Sequence, residues 1–336
     1  TSVYNLVLSG AQPLDFTQIG SGGGLLPAPV TRTELRVGPG ERADIVIGFA
    51  PYQSGEMLHL RDMNSNTDVL QFRVTTDNAT DNSVVPATLR SLPDIGEPTV
   101  TRAFNFGKTT NHWTINGLLS DPDRVDFSPV LGTTERWVIS NNGGAVHTFH
   151  VHDVEAQCLS RNSGPCLPQE VFDDTFFLGP NETLELKMRF TDFKGRYVFH
   201  CHVLEHEQDG MMMQFQVVPP NDPDGDGWTT DAETQIGTNP LDSCGNDGWP
   251  ADLLPGGFAP NTLNIQDLGS FVAPVRRLNT SQGDPGFDKR WDLVPGSTFG
   301  ETINIVDMAT LFSGATAYPA MFDGQRAFGR TCPAAP

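Results

Sequence analysis

A cysteine set directly between two histidines, His200-Cys201-His202, with His206 and Met211 following, constrains this chain more than any other feature. Upstream stands a second group, His147-Thr148-Phe149-His150-Val151-His152, so that six of the eight histidines fall in two short segments. The spacing suits strands. Successive side chains on a strand point to opposite faces, so Cys201 faces one way while His200 and His202 face the other. His150 and His152 share a face, and His147, three residues before His150, projects differently. The side chains thereby sort into two sets: His147, Cys201 and His206, and His150, His152, His200 and His202.

Imidazole and thiolate gathered in this way are ligands that suit copper. Two imidazoles, one thiolate and a weak axial thioether are the ligand type of a blue copper centre. A zinc site, the rival reading, draws on separated pairs such as C-x2-C and H-x3-H, and neither spacing describes a cysteine flanked by histidines.

These motifs resemble the C-terminal domain of the multicopper oxidases, the family of laccases and bilirubin oxidases. The resemblance implies type 1 copper on His147, Cys201, His206 and Met211, with Met212 and Met213 left to packing. It implies a type 2 ligand in His150 and type 3 ligands in His152, His200 and His202. Cys201 would join the two sites, because both its neighbours serve the other set, and electrons taken from a donor would cross along that short backbone path. Glu207 stands where spore-coat-type laccases place an acid implicated in delivering protons to dioxygen; a carboxylate that orients a histidine is the other reading. His59 and His112 lie outside both motifs and are expected to be structural, although His112, just before Trp113, is placed to approach a substrate pocket. The family's trinuclear cluster takes twice the histidines of this second set, the other half coming from two H-x-H motifs of an N-terminal domain. No such motif precedes residue 147. The expectation is a truncated chain, inactive alone, whose N-terminal cupredoxin domain is missing or comes from another chain.

Short β-type runs separated by turn residues, with 34 glycines, 26 prolines and only 18% charged residues, favour β-sandwiches. Leu35-Arg36-Val37, Asp44-Ile45-Val46-Ile47 and Leu70-Gln71-Phe72-Arg73-Val74 alternate apolar with polar residues, and Gly38-Pro39-Gly40-Glu41-Arg42 reads as a turn. This segment resembles the middle domain of three-domain bacterial laccases, entered part-way, except that Gly22 and Gly48 replace residues that are commonly acidic there. Thr75 to Pro98 reads as a linker. Trp113–Gly117, Glu135–Ile139 and Arg196–Phe199 supply strands of the next unit. The expected organisation is all-β: a partial middle cupredoxin-like domain (1–92), a C-terminal cupredoxin domain with the copper sites (93–219), and a small calcium-binding α/loop module in two parts (220–248 and 249–336).

The tail carries its own motif. Asp222, Asp224, Asp226, Trp228 and Glu233 fit D-x-D-x-D-G-x5-E, which sets hard oxygen ligands and a turn glycine in the order a calcium loop requires. The adjoining Gly237-Thr238-Asn239-Pro240-Leu241-Asp242 resembles the calcium-binding repeats of thrombospondin type 3. Asp252-Leu253-Leu254-Pro255-Gly256 then recurs as Asp292-Leu293-Val294-Pro295-Gly296, and Leu263-Asn264-Ile265-Gln266-Asp267-Leu268 as Ile303-Asn304-Ile305-Val306-Asp307-Met308. This duplication resembles dockerin modules, which implies further calcium ligands among Asp252, Asn264, Asp267, Asp292, Asn304 and Asp307. It also implies attachment to a scaffold or cell surface; a calcium-stiffened extension without a partner is the alternative.

Cys158 and Cys166 can close a small disulfide, and Cys244 with Cys332 a larger one; free thiols are the other reading. Two disulfides would place the chain in an oxidising compartment, secreted or at the cell surface. The net charge of −20 argues against nucleic acid or an anionic membrane as partner. No apolar run is long enough to span a bilayer. The expected function is laccase-like, coupling one-electron oxidation of phenols, pigments or metal ions to reduction of dioxygen to water, with copper and calcium as cofactors. The alternatives are a type 1 copper electron carrier and a calcium-dependent attachment protein.

Overall fold

The computed structural model describes residues 2–10, 15–75, 80–122, 124–224, 230–242, 253, 265–293, 302, 303, 305, 307 and 308. Its first strands are β1 (Tyr4–Ser9), β2 (Phe16–Ser21), β3 (Gly24–Arg32), β4 (Leu35–Val37), β5 (Ala43–Val46), β6 (Met57–Asp62) and β7 (Thr67–Arg73). They form a four-stranded sheet, β4-β1-β6-β7, and a three-stranded sheet, β3-β2-β5. Leu8, Leu35 and Leu58 from the first and Phe16 from the second share one buried cluster, joined by Val37, Ile45 and Phe72. The alternation over residues 35–47 thus marks inward-facing positions. It overstates β7, an edge strand on which Leu70 is half exposed. In the pairing of β6 with β7, Leu60 meets Leu70 and Arg61 meets Asp68, leaving Val69 as an extra residue that disrupts the ladder.

The next strands are β8 (Val100–Lys108), β9 (Trp113–Ile115), β10 (Thr134–Asn141), β11 (His147–Val151), β12 (Ala156–Arg161), β13 (Phe172–Asp173), β14 (Thr175–Leu178), β15 (Thr183–Arg189) and β16 (Gly195–Cys201). A short helix α1 (Leu204–Gln208) leads to β17 (Met212–Val217). One sheet runs β13-β12-β15-β10-β8-β9 and the other β14-β11-β16-β17. This is the all-β, cupredoxin-like architecture. Residues 80–99 between the two sets of strands have no regular element, but they are tied down: Leu89 N–H bonds Pro27 and Gln157 bonds the Pro93 carbonyl.

Aromatic residues fill the interior. Trp137 is fully buried, with ring centroids of Phe104 at 5.0 Å, Phe199 at 5.1 Å and Phe149 at 6.3 Å. Its indole N–H donates to Glu135 at 2.9 Å, and Arg102 grips that buried carboxylate with a two-pronged contact at 2.7 and 2.9 Å. Both polar groups in this core are satisfied, so neither is left with an uncompensated loss of hydration. Trp137→Ala is expected to destabilise this unit by about 3–5 kcal/mol, read as a lower midpoint in urea denaturation, because it opens a cavity and removes one of the donors to the buried Glu135.

The chain divides into two compact units, one of residues 1–121, 133–191 and 197–213, the other of 122–132, 192–196 and 214–336. In the second lie α2 (Thr230–Ile236), α3 (Ile265–Gly269), a 3-10 turn at Lys289–Trp291, and a pair of two-residue strands, β18 (Thr280–Ser281) with β19 (Thr302–Ile303). The repeat leaves a physical trace there. Leu253 and Leu293 are both buried, as are Asp267 and Asp307, and Leu253 N–H donates to the Asp267 carboxylate at 3.0 Å. Among the described residues no helix is long and apolar enough to cross a membrane. Cys158 and Cys166 are joined as a disulfide, whereas Cys244 and Cys332 lie outside the described residues.

Candidate metal centre

Strand parity builds the centre. β11 pairs antiparallel with β16 so that Phe149 faces Cys201 and His150 faces His200. The odd-numbered positions of β11, starting at His147, turn toward the buried side that also receives Cys201, and the even-numbered positions turn away. α1 returns the chain over the first side. Its His206 N–H bonds Val203, and Met211 N–H then bonds the His206 carbonyl at 3.0 Å. The Met211 carbonyl accepts from Cys201 N–H at 3.1 Å, so the buried Met211 is held between two members of the set.

The first set converges. Cys201 Sγ lies 3.5 Å from Nδ1 of His147 and 3.5 Å from Nδ1 of His206, and the two nitrogens are 3.1 Å apart. All three residues are buried. Trp113 stacks on His206 at 3.8 Å between ring centroids and meets His147 edge-on at 5.5 Å. It is positioned from α1 by Asp209, which accepts Trp113 N–H at 2.7 Å and pairs with His112 at 2.9 Å. His112 therefore helps fix the wall of the centre rather than entering it. His59 pairs with Gln71 across two strands, a structural contact.

The second set lies on the other side of the same two strands. His150, His152 and His200 each bring a ligand atom within 4.8 Å of the others'. His202 stands at 5.5 Å between ring centroids from both His150 and His200. Nδ1 of His200 lies 3.1 Å from the Cys201 carbonyl, and Nδ1 of His150 lies 3.1 Å from the Asp174 carbonyl. A carbonyl only accepts, so both Nδ1 atoms carry the proton and both Nε2 atoms present a bare lone pair. The Glu207 carboxylate reaches within 3.5 Å of His200 Nδ1.

Electrostatics at the first set agree with a cation. Burial, with His206 as the next contribution, pushes His147 down to about 3, and burial pushes the Cys201 thiol up to about 11. His206 is likewise lowered by burial. Burial thus disfavours charge on all three groups of the metal-free set. Nε2 of His147 is buried without a hydrogen-bond partner, so only what sits between the three donors can fix its tautomer. A triangle of N and S donors with these edges spans metal bonds of about 2 Å. The donor set fits copper.

Arg42, Asp174 and Thr175 carry no motif in the sequence, yet they hold His150. Burial alone would raise Asp174, but hydrogen bonds from His150, Arg42 and Thr175 hold it below the usual carboxylate range. The one sequence signal for them is the polar run Asp173-Asp174-Thr175 opening an otherwise apolar strand. Gly22, the departure from the middle-domain pattern, also has a reason here. A Cβ on it would lie 2.3 Å from the Asp173 carboxylate and 2.6 Å from the Arg42 guanidinium, leaving no room for an acidic side chain. Gly48 faces open space, and nothing in the structure explains it.

In the tail, Asp222 and Glu233 are buried, and burial followed by repulsion from Asp224 raises Glu233 to about 8. One Glu233 oxygen accepts from Thr238 at 3.2 Å, while the other is buried without a partner. Asp267, Asp292 and Asp307 are buried as well. Asp226, Trp228, Asp252, Asn264 and Asn304 lie outside the described residues.

Residues 93–221 match the family model described as Multicopper oxidase. A bilirubin oxidase from Albifimbria verrucaria is 36% identical over 225 residues, covering 60% of this chain and 39% of that protein. A laccase from Bacillus subtilis is 34% identical over 256 residues, covering 66% and 49%. Among solved structures, a laccase from Pediococcus acidilactici superposes with a TM-score of 0.60 at 30% identity, over 64% of this chain and 47% of that one. The McoA multicopper oxidase of Aquifex aeolicus gives 0.59, also at 30% identity, over 64% and 52%. The chain thus spans about half or less of the length of the curated relatives it matches. Both histidine sets lie inside the region, residues 93–221, that matches the multicopper oxidase family.

Proposed function

We propose that this chain is the electron-accepting part of a laccase-like oxidase. His147, Cys201, His206 and Met211 hold type 1 copper, His150 a type 2 ion, and His152, His200 and His202 type 3 ions. One observation carries the reading: Cys201 belongs to the first set while its two chain neighbours belong to the second, so a single strand end links both. Copper, when bound, supplies one-electron redox chemistry. The protein's part is to exclude water from Cys201 and His147, to orient His206 beneath Trp113, and to keep the Nε2 lone pairs of His150 and His200 facing inward. Glu207, beside His200, is suited to hold that imidazole and to pass a proton to the site where dioxygen is reduced. The donors are phenols, aromatic amines, bilirubin-like pigments or reduced metal ions. The four imidazoles of the second set are half of a trinuclear cluster, the rest coming from an N-terminal cupredoxin domain outside this sequence. Mixing the copper-loaded chain with a phenolic donor without oxygen should bleach its visible band; a band that persists under excess donor overturns the reading.

A second reading concerns the tail, favoured by the buried, unpartnered oxygen of Glu233 among acidic neighbours. With Asp226 and Trp228 of the sequence motif, Asp222, Asp224 and Glu233 are read as a calcium loop, and the duplicated module as an attachment to a scaffold or cell surface. An exported, extracellular location belongs to this reading and is supported by the Cys158–Cys166 disulfide. Calcium at about 100 times its Kd should stabilise the tail by about 2.7 kcal/mol. EGTA should therefore lower the melting temperature of the tail and leave the visible band intact. An unchanged melting curve would count against calcium.

A further inference from the structure

The turn Gly38–Arg42 joins β4 to β5, far in sequence from either histidine group, yet it is bonded to the strand that flanks them. Glu41 closes the turn by accepting Gly38 N–H at 2.6 Å, and its other oxygen accepts Phe177 N–H on β14 at 3.1 Å. Arg42 grips both oxygens of Asp174 at 2.7 and 2.8 Å and donates to Thr175 Oγ1 at 3.1 Å. The guanidinium is itself braced by the carbonyls of Gly40 and Gly22 at 3.0 and 3.1 Å. Thr175 Oγ1 gives its proton to Asp174 and so turns a lone pair to His150, whose Nδ1 lies 2.9 Å away. The same turn touches His202 directly. Gly40 has φ +80°, and a Cβ there would lie 2.4 Å from the His202 ring, so the bare backbone lies against the imidazole.

We propose that Arg42 and Thr175 are positioning residues for the second histidine set: they lock His150 as its Nδ1–H tautomer with Nε2 turned to the metal, while the Gly40 backbone braces His202. Each group has a distinct task. Asp174 cannot hold Thr175 in the accepting orientation unless its own oxygens are fixed, and the Arg42 fork fixes both at once. Lysine keeps the charge but offers no planar pair of donors, so it restores only part of the arrangement. The inference rests on the reading of the second set as a copper cluster, but the tautomer of His150 is a property of the metal-free chain.

The test therefore has two readouts. Nitrogen-15 histidine NMR of the metal-free chain reports the His150 tautomer, and copper titration followed by electron paramagnetic resonance reports the second set. The visible band of the first set serves as an internal control. Thr175→Val, nearly the same size, removes the nearer acceptor of His150 Nδ1–H and leaves the Asp174 carbonyl at 3.1 Å, so a second tautomer should become populated and copper at the second set should weaken by about 10–100-fold, with the band unchanged. Arg42→Gln should do the same and Arg42→Lys less. If Arg42→Gln does not fold, Thr175→Val decides. A His150 tautomer unchanged in Thr175→Val overturns the proposal. If the parent chain takes no copper at the second set, the cluster reading fails, and the tautomer shift still decides the positioning role.

Discussion

Cys201→Ser is expected to abolish the intense visible absorption of the copper-loaded chain completely, the largest spectroscopic change any single substitution should produce. That band belongs to a copper–thiolate bond. Cys201 is the one free cysteine among the described residues, and its sulfur is the only thiol at the His147–His206 pair. A serine hydroxyl there is a hard, protonated oxygen that cannot take the place of a soft thiolate. The metal-free protein should tolerate the change within about 1 kcal/mol, because the thiol is neutral in that state and the serine hydroxyl finds the same imidazole nitrogens as partners. Unfolding midpoints in denaturant, measured without copper, separate loss of colour from loss of fold. Copper held by the second set should remain, since His200 and His202 keep their backbone positions and face the other way. A band that survives in Cys201→Ser would remove the type 1 assignment altogether.

The two sets were legible in the sequence because their spacing follows strand parity, which the pairing of His150 opposite His200 realises directly. His206 sorted with Cys201 in the sequence and Met211 entered through resemblance, but a short helix and a tight return, not an alternation, bring them to Cys201. What supports the sets was hidden for a different reason. Arg42 sits more than a hundred residues before Asp174, and no local pattern indicates that their side chains meet. Trp113 read as the start of a strand, which it is, but its stacking on His206 depends on Asp209 holding its backbone from α1. The alternation of Leu70–Val74 indicated a strand correctly and misjudged its burial, because the bulge at Val69 arises from pairing with β6. In the tail, the repeat predicted equivalent positions, and the matched burial of Leu253 with Leu293 agrees.

Sustained oxygen consumption should be absent when the copper-loaded chain is given a phenolic donor and air, and should appear when an N-terminal cupredoxin domain with two H-x-H motifs is added or fused. Reducing dioxygen to two waters takes four electrons, and a single copper ion held by the first set, as proposed, would pass one at a time. The receiving site must therefore store electrons until the reaction can complete, which a cluster of several copper ions does and one ion does not. The second set presents four imidazoles, three of them with ligand atoms inside 4.8 Å. Sharing four ligands among three ions leaves each undercoordinated and open to water. The chain alone should accept electrons, visible as bleaching, and should stay bleached while donor remains. Restoring the missing imidazoles should raise oxygen uptake from background to multiple turnovers per chain, and His200→Ala should return it to background while the visible band survives. An oxygen electrode and the band, followed together, separate the two sites. Steady turnover by the chain alone would show that four imidazoles suffice, and the half-cluster reading would have to be abandoned.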